Sequence, residues 1–540
     1  MSNVQGLLRV AKESGQDFEW YPTTNEILDA ICSHIDNGDY GCRHNQKVLD
    51  IGAGNGKALV YFRDKEIASE DGLYAIEISE PLRAVMDESI FVIGTNLFEQ
   101  SLWDKAADIT FCNPPYSAYG EWVAKVLRES VSERIYFVIP HRWKDDKKIQ
   151  DALRDRGPKV KAKVIGSFNF ANAERRARAE VDIVYVYNPI REDNDPFDSF
   201  FHEYFGAVAD KFDDTQIPTP DPEETKREEE AAQQKVVGGK NIIERLVTGY
   251  EDERQRIILA YEKIGDVDRE ILDELGINKD RLISTLRERV VNLKKKYWGL
   301  LFDNFDALTR RLTSKTRNAM MARLNSEMSV DFTVGNAYTV VIWAIKQVNK
   351  YVDDQLMEVF ESLVGADSAC AYKSNKKLFI DNYWRYSGEE SRATHFYLDY
   401  RIVTERCGGL AVGDFVYGRE RETGLSDRAY DMISDVLTVA NNLGFAHKGS
   451  GPHRSWSRGA EFFHTHDDKE LLKVRAFKNQ NLHLFLNQDF MLALNVEYGR
   501  LRGWLSSPQD AAKELDEPKA IALYDTNLKL GRSTVPLLMD

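Results

Sequence analysis

The sequence predicts an α/β protein: an open, mostly parallel sheet near the amino-terminal end, then a mainly helical region and a mixed α+β region. Three observations carry that expectation. Short apolar runs alternate with helix-like stretches through the first 190 residues, as in βαβ units. A glycine-rich turn follows the first of these runs, and a turn with two prolines ends a later one. From Asn241 onward the apolar spacing changes to alternating three- and four-residue steps, which is helical.

Taken in order, Trp20-Tyr21-Pro22-Thr23-Thr24 precedes a helix-like segment, Asn25 to His34, and either threonine hydroxyl can cap it. The strand-like run Val48-Leu49-Asp50-Ile51 enters a turn in which Gly52, Gly54 and Gly56 let the backbone approach a ligand closely. A helix-like stretch starts at Lys57. Leu73 to Ile76 then forms a second strand ending in Glu77 and Ile78. An acid about 20 residues past such a loop is placed to hold ribose hydroxyls. A dinucleotide oxidoreductase would carry the same loop. The strand Asp108 to Cys112 ends in Asn113-Pro114-Pro115-Tyr116, at the edge where open α/β sheets bind ligands. An Asn oxygen and the first proline's carbonyl can each accept one N–H of a planar amino group, and the Tyr face can stack on its ring. Ile135 to Pro140 and Val181 to Tyr187 read as further strands.

Together the glycine loop, Asp50 and Asn113-Pro114-Pro115-Tyr116 resemble the class I S-adenosylmethionine-dependent methyltransferases, in the branch that methylates N6 of adenine. The resemblance covers roughly residues 15–190. It implies a Rossmann-like domain with a mostly parallel seven-stranded sheet, and S-adenosyl-L-methionine as cofactor. It assigns Tyr21, Thr23, Thr24, Asp50, Gly52, Gly54, Gly56, Glu77, Ile78, Asn96, Leu97 and Asn113 to the cofactor, and Asn113, Pro114, Pro115 and Tyr116 to catalysis. Asn96 stands where the family usually carries an acid against the cofactor's adenine. The implied substrate is double-stranded DNA with a flipped adenine; the same turn also serves enzymes acting on RNA adenine or a protein glutamine. In the family the chain resembles, this order of motifs goes with a target-recognition region after the catalytic domain. Relatives of this kind in phages and prophages suggest protection of DNA against restriction.

The net charge of −15 is unevenly spread. Residues 191–240 alone carry −8, whereas residues 141–178 carry +7. That basic stretch, with Arg142, Lys144, Lys147, Lys148, Arg175, Arg176 and Arg178, follows the fifth strand and suits contact with phosphates. The alternative is a solvated helix face. With 43% hydrophobic and 29% charged residues the chain can bury large cores, and its length suggests roughly two to four domains. Expected boundaries are a catalytic domain over 1–190, an acidic linker over 191–240, a helical region over 241–370 and an α+β region over 371–540, the last two being either separate or one accessory or DNA-recognition module over 241–540. Five scattered cysteines argue for reduced thiols and offer no metal spacing; no metal is expected. No membrane-length apolar run or secretory signal is apparent, so a cytoplasmic location without membrane association is expected. A homodimer is one assembly left open.

Helices are expected over Lys279 to Arg311, Thr316 to Met328, Val334 to Val364 and Asp489 to Trp504. Leu471 to Phe477 and Leu482 to Leu486 flank a hairpin turn at Asn479-Gln480-Asn481. The Gly-rich loop from His447 to Arg458 offers Lys448, Arg454 and Arg458 to nucleic acid; an ordinary surface loop is an equal reading.

Overall fold

A computed structural model describes residues 4–36, 45–157, 160–169, 175, 180–188, 242–265, 279–304, 311–326, 328–364, 398, 400–404, 409–416, 419–449, 451–453, 455–456 and 459–524. The expected linker over 191–240, and Arg176, Arg178, Arg454 and Arg458, lie outside these residues. The chain divides into two compact units, Met1–Leu301 with Ala322–Val341, and Phe302–Met321 with Ile342–Asp540.

The first unit opens with helix α1 (Val4–Glu13) and α2 (Asn25–Asp36). The spacing of Ile27, Leu28, Ile31, Cys32 and Ile35 gives α2 one apolar face, and all five are buried. Then come β1 (Gln46–Ile51), α3 (Lys57–Asp64), β2 (Ala68–Ile76), α4 (Glu80–Arg83), β3 (Phe91–Gly94), β4 (Ile109–Cys112), α5 (Tyr119–Glu129), β5 (Arg134–Pro140), α6 (Lys147–Asp155), β6 (Lys161–Asn169) and β7 (Glu180–Tyr187). The strands form one seven-stranded sheet in the order β3-β2-β1-β4-β5-β7-β6. Strands β3 to β5 pair in parallel through β2, β1 and β4, while β7 runs antiparallel to both β5 and β6. This order and the single reversed strand are those of the Rossmann-like class I methyltransferase fold, and the chain has that fold. Parallel strands covered on both faces need apolar residues throughout, and β4 and nearly all of β5 are buried. The carboxyl ends of β1, β2 and β4 lie side by side, because Asp50 pairs with Ala75 and Phe111.

Helices α7 (Ile242–Gly265), α8 (Lys279–Asn304), α9 (Ser314–Leu324) and α10 (Val334–Val364) follow. Within the first unit, α8 and the segment before α10 are joined to the sheet by a closed square of buried charge. Lys105 Nζ lies 2.8 Å from Asp331 and 3.3 Å from Asp104; Lys294 Nζ lies 2.5 Å from each of the same two acids. Burial opposes ionisation of Asp331, but Lys105 and Lys294 overcome it and hold that carboxyl below the usual carboxylate range. Beside the square, Trp298 is fully buried and its indole donates to the Val330 carbonyl at 2.9 Å.

The second unit contains β8 (Arg401–Thr404), β9 (Leu410–Val416), β10 (Arg419–Leu425), α11 (Asp427–Asn442), β11 (Ala460–His464), β12 (Glu470–Ala476), β13 (Leu482–Leu486), α12 (Gln488–Leu501), α13 (Pro508–Glu514) and α14 (Ala520–Leu523). An antiparallel sheet of order β11-β12-β13-β8 turns Ile402, Leu472, Val474, Leu482 and Leu484 into a core with Ile433, Val436 and Leu437 of α11 and Phe490 and Leu494 of α12. Ser426 and Asn487 cap α11 and α12, accepting backbone N–H groups of Ala429, Asp489 and Phe490. The hairpin turn closes as expected, with Gln480 at φ 67° and Phe477 N–H donating to the Asn481 carbonyl. Among the described residues no helix is long and apolar enough to cross a membrane.

Removing one member of the charge square strands the others in low dielectric. Asp331→Ala should lower unfolding free energy by about 3–5 kcal/mol, read as a urea midpoint. Arg9→Ala, which breaks only the exposed Arg9–Glu13 pair, should leave that midpoint unchanged.

Candidate active-site cleft

One cleft, about 780 Å³ with its open mouth, runs along the carboxyl ends of β1, β2 and β4. Its floor is the glycine loop. Gly52 N–H and Ala53 N–H donate to the Ile76 carbonyl, and Gly54 N–H donates to Glu77 Oε2 at 2.7 Å. Gly54 sits at φ 58°, and a Cβ there would run into the Trp20 indole. At Gly52 (φ 80°) a side chain would crowd Trp122 at 3.1 Å. Bare backbone is therefore required at both positions.

Two buried acids face this floor. Glu77 accepts from Gly54 N–H and, through Oε1, from Ser79 N–H at 2.7 Å. Burial outweighs those bonds and raises its pKa to about 7. Asp50 is 2% exposed and its Oδ1 has no hydrogen-bond partner among the described residues. Burial first, and the neighbouring Glu77 second, push its carboxyl well above the ordinary range.

A strap formed by residues 17–24 covers one side. Arg175 holds it, with its guanidinium 2.7 Å from Asp17, donating to the Trp20 carbonyl, and 4.3 Å from the Tyr21 ring centroid. Glu19 takes a left-handed φ of 57° and accepts Ser117 N–H at 3.1 Å, tying the strap to the turn after β4. Asn113, at the end of β4, donates through Nδ2 to the Tyr21 carbonyl at 3.0 Å and to Thr23 Oγ1 at 3.1 Å. A carbonyl oxygen cannot donate, so this fixes which end of the amide is nitrogen. Tyr116 lies parallel to Tyr21, with ring centroids 6.1 Å apart and an interplanar angle of 1°.

Tyr21, Thr23, Asp50, Gly52, Glu77, Ile78, Asn96, Leu97, Asn113 and Pro115 all line the cleft. Gly54 and Gly56 shape the loop without lining it; in the turn, Pro114 and Tyr116 do not line the cleft, and Tyr116 packs against the core of the unit. The two threonines divide their tasks: Thr24 Oγ1 caps α2 by accepting Ile27 N–H, while buried Thr23 faces Asn113. Asn96 spends its side chain locally, accepting Phe98 N–H and donating to Glu99. Its acceptor oxygen is already engaged, unlike the acid expected against a cofactor's adenine. Sequence patterns did not single out Trp122, which lines the cleft and meets Phe98 edge-on at 6.3 Å. Nor did they single out Asn336, whose Oδ1 accepts Thr95 N–H at 2.9 Å and whose Nδ2 donates to Gln100. Asp331 likewise accepts from Ser101 N–H and Oγ–H. Residues 95–101, of which Thr95, Asn96 and Leu97 line the cleft, are thus pinned from a distant part of the sequence, which no local pattern signals.

The basic candidates are used unequally. Arg175 is committed to Asp17, Lys148 pairs with Glu121 at 2.6 Å, and Lys448 pairs with Asp468. Arg142, Lys144 and Lys147 are exposed; Arg142 also reaches the Tyr116 carbonyl at 3.4 Å, which fixes it beside the turn.

The family described as "Domain of unknown function (DUF4942)" matches residues 290–408. No curated protein matches the sequence. Solved structures similar to the chain include a dimethyladenosine transferase from Plasmodium falciparum (12% identity, TM-score 0.27, covering 48% of this chain and 99% of that one). The 23S rRNA methyltransferase ErmE is another (14%, 0.25, 50% and 99%), as is an O-methyltransferase from Bacillus cereus in complex with SAH (13%, 0.25, 35% and 91%). At these scores the assignment of fold rests on strand order, not on the overlaps.

Folding takes up a proton on Glu77 between its ordinary value of 4.5 and about 7. Its contribution to stability is therefore greatest in acid, declines as pH rises through that window, and is level above it. Glu77→Gln should flatten this part of the profile, seen as a smaller drop in urea midpoint between about pH 5 and pH 8.

Proposed function

We propose that the chain is an S-adenosylmethionine-dependent methyltransferase that modifies N6 of adenine in double-stranded DNA. The observation that carries this reading is the clamped Asn113 amide: both recorded bonds of its nitrogen go to the strap, so the amide oxygen is the end left for a ligand's N–H. A second acceptor, the Pro114 carbonyl, follows in the same turn, and Pro115 at its next position has no N–H to compete.

The cleft fits the cofactor on its own chemistry. Bare glycine backbone, the unpartnered Asp50 Oδ1 and the Glu77 carboxyl meet the needs of a cationic amino-acid head and a ribose. Each Glu77 oxygen has a lone pair beyond the one given to backbone, which is available to ribose hydroxyls. When bound, the cofactor supplies an electrophilic methyl group on a positive sulfur. The chain's own task is alignment, worth on the order of 7–11 kcal/mol in well-oriented reactions. Asn113 Oδ1 and the Pro114 carbonyl would accept the two N–H bonds of the target amine, favour a more tetrahedral nitrogen and stabilise its growing positive charge. Proton loss follows transfer, so no strong base is required.

Support for nucleic acid comes from Arg142, Lys144 and Lys147, three exposed cations on the short turn and helix start that follow β5. Flipping the base out of a duplex costs a few kcal/mol, which phosphate contacts and stacking on an aromatic ring of the turn would offset. Protection of phage or prophage DNA from restriction is the biological role this reading suggests.

The test is transfer of labelled methyl to DNA, RNA and protein, with digestion to locate the modified group. N6-methyladenine in DNA is expected; label only in RNA or on a glutamine amide would move the substrate assignment. Asn113→Ala should lower turnover roughly 10²–10³-fold while calorimetric cofactor affinity is kept, and normal turnover in that variant would end the mechanism. Asn336→Ala, by releasing the Thr95 wall, should raise the cofactor Kd up to about tenfold with little change in kcat.

A further inference from the structure

The exposed face of the four-stranded sheet in the second unit carries a pattern that its fold does not require. Side chains alternate across a sheet, and one face here is the packed core described above. On the other face the cross-strand register aligns Phe462, Lys473, Phe485 and Arg401 in one row across β11, β12, β13 and β8. The neighbouring row sets Arg475 against His483. Aromatic rings and cations therefore alternate along a single line. Lys473 Nζ lies 5.0 Å and 5.4 Å from the ring centroids of Phe462 and Phe485, and the Arg401 guanidinium lies 5.5 Å from Phe485. Phe477 lies against His483 at 4.5 Å. Phe462 in β11 is 46% exposed and Phe477, just past the end of β12, 37%, large apolar surfaces facing solvent.

Among the described residues the charge on this face is uncompensated. Among the described residues Arg401, Lys473 and Arg475 have no acidic partner, and the acids of these strands, Glu461 and Glu470, fall outside both rows. His483 is driven toward its neutral form by burial first and then by Arg401 and Arg475, as expected beside excess positive charge.

We infer that this face binds an unpaired nucleic-acid strand. Flat bases stack on exposed rings whatever their sequence, while interleaved cations take the phosphates between them. A duplex hides its base faces within its own stack and would leave the phenylalanines unused. An acidic peptide would neutralise the cations but has no planar rings to match the aromatic row. The inference goes beyond the proposed reaction, whose groups all lie in the first unit.

Fluorescence anisotropy of the full-length protein with labelled oligothymidylate about 16 nucleotides long tests it. Oligodeoxyuridylate, oligouridylate, a duplex of the same length and polyglutamate serve as competitors. Lys473→Ala with Arg475→Ala should weaken binding at least about tenfold and reduce the slope of log K against log salt by about 1.4. Phe462→Leu with Phe485→Leu should weaken it by about tenfold or more with the slope unchanged. Equal competition by oligodeoxyuridylate and oligouridylate, which differ only in the 2′-hydroxyl, assigns the site to single strands of either sugar; preference for one names the sugar. Unchanged binding in the Lys473/Arg475 variant, or competition by duplex or polyglutamate as strong as by the single strand, overturns the inference. Asn113→Ala should bind the strand like the native chain, so loss of methyl transfer and loss of strand binding are read separately.

Discussion

A side-chain amide has a donor end and an acceptor end, and at Asn113 the strap decides which faces where. The Tyr21 carbonyl can only accept, so it captures the nitrogen and turns the oxygen the other way. The rest of the cleft is arranged around that decision. Arg175 holds the strap by its Asp17 carboxylate and Trp20 carbonyl, and Glu19 ties it to the turn that follows Asn113. Trp20 then rests on Gly54, which makes the glycine loop and the turn after β4 parts of one packed object. The proposed chemistry needs this rigidity, because acceptors that must be reorganised during the reaction lose most of their worth.

The opposite wall is held by different physics. Asn336 and Asp331 reach residues 95–101, and Asp331 also closes the square with Lys105, Lys294 and Asp104. Buried ion pairs add little net stability compared with apolar residues of similar volume, but they tolerate only one arrangement. Residues 331 and 336 lie inside the segment matched by a family of unknown function. In this chain, part of that segment is structural support for the cleft.

Much of the first unit could be read from the residues because its signals are local. Buried parallel strands are short apolar runs, glycines mark the loop where a Cβ would strike Trp20, and prolines mark the turn after β4. The same kind of signal located Val334–Val364 to the residue. Tertiary choices could not be read that way. Whether Thr23 or Thr24 caps α2 depends on which hydroxyl meets Asn113, some 90 residues away. Arg175 sits in a run of cations, yet its charge is consumed by Asp17, 158 residues distant. Asn336 and the aromatic–cation row of the second unit emerge only when strands and helices are set in register, since no single segment contains either pattern.

Asp50 and Glu77 together form a reservoir of exchangeable hydrogen beneath the glycine loop. Both carboxyls are held toward their neutral forms by burial, and Glu77 adds to the cost of ionising Asp50. A cationic guest settling above them reverses that balance and drives the acids toward their anions. Its association would then expel hydrogen ions into the surrounding medium, and the heat observed would vary with the ionisation enthalpy of the buffer chosen.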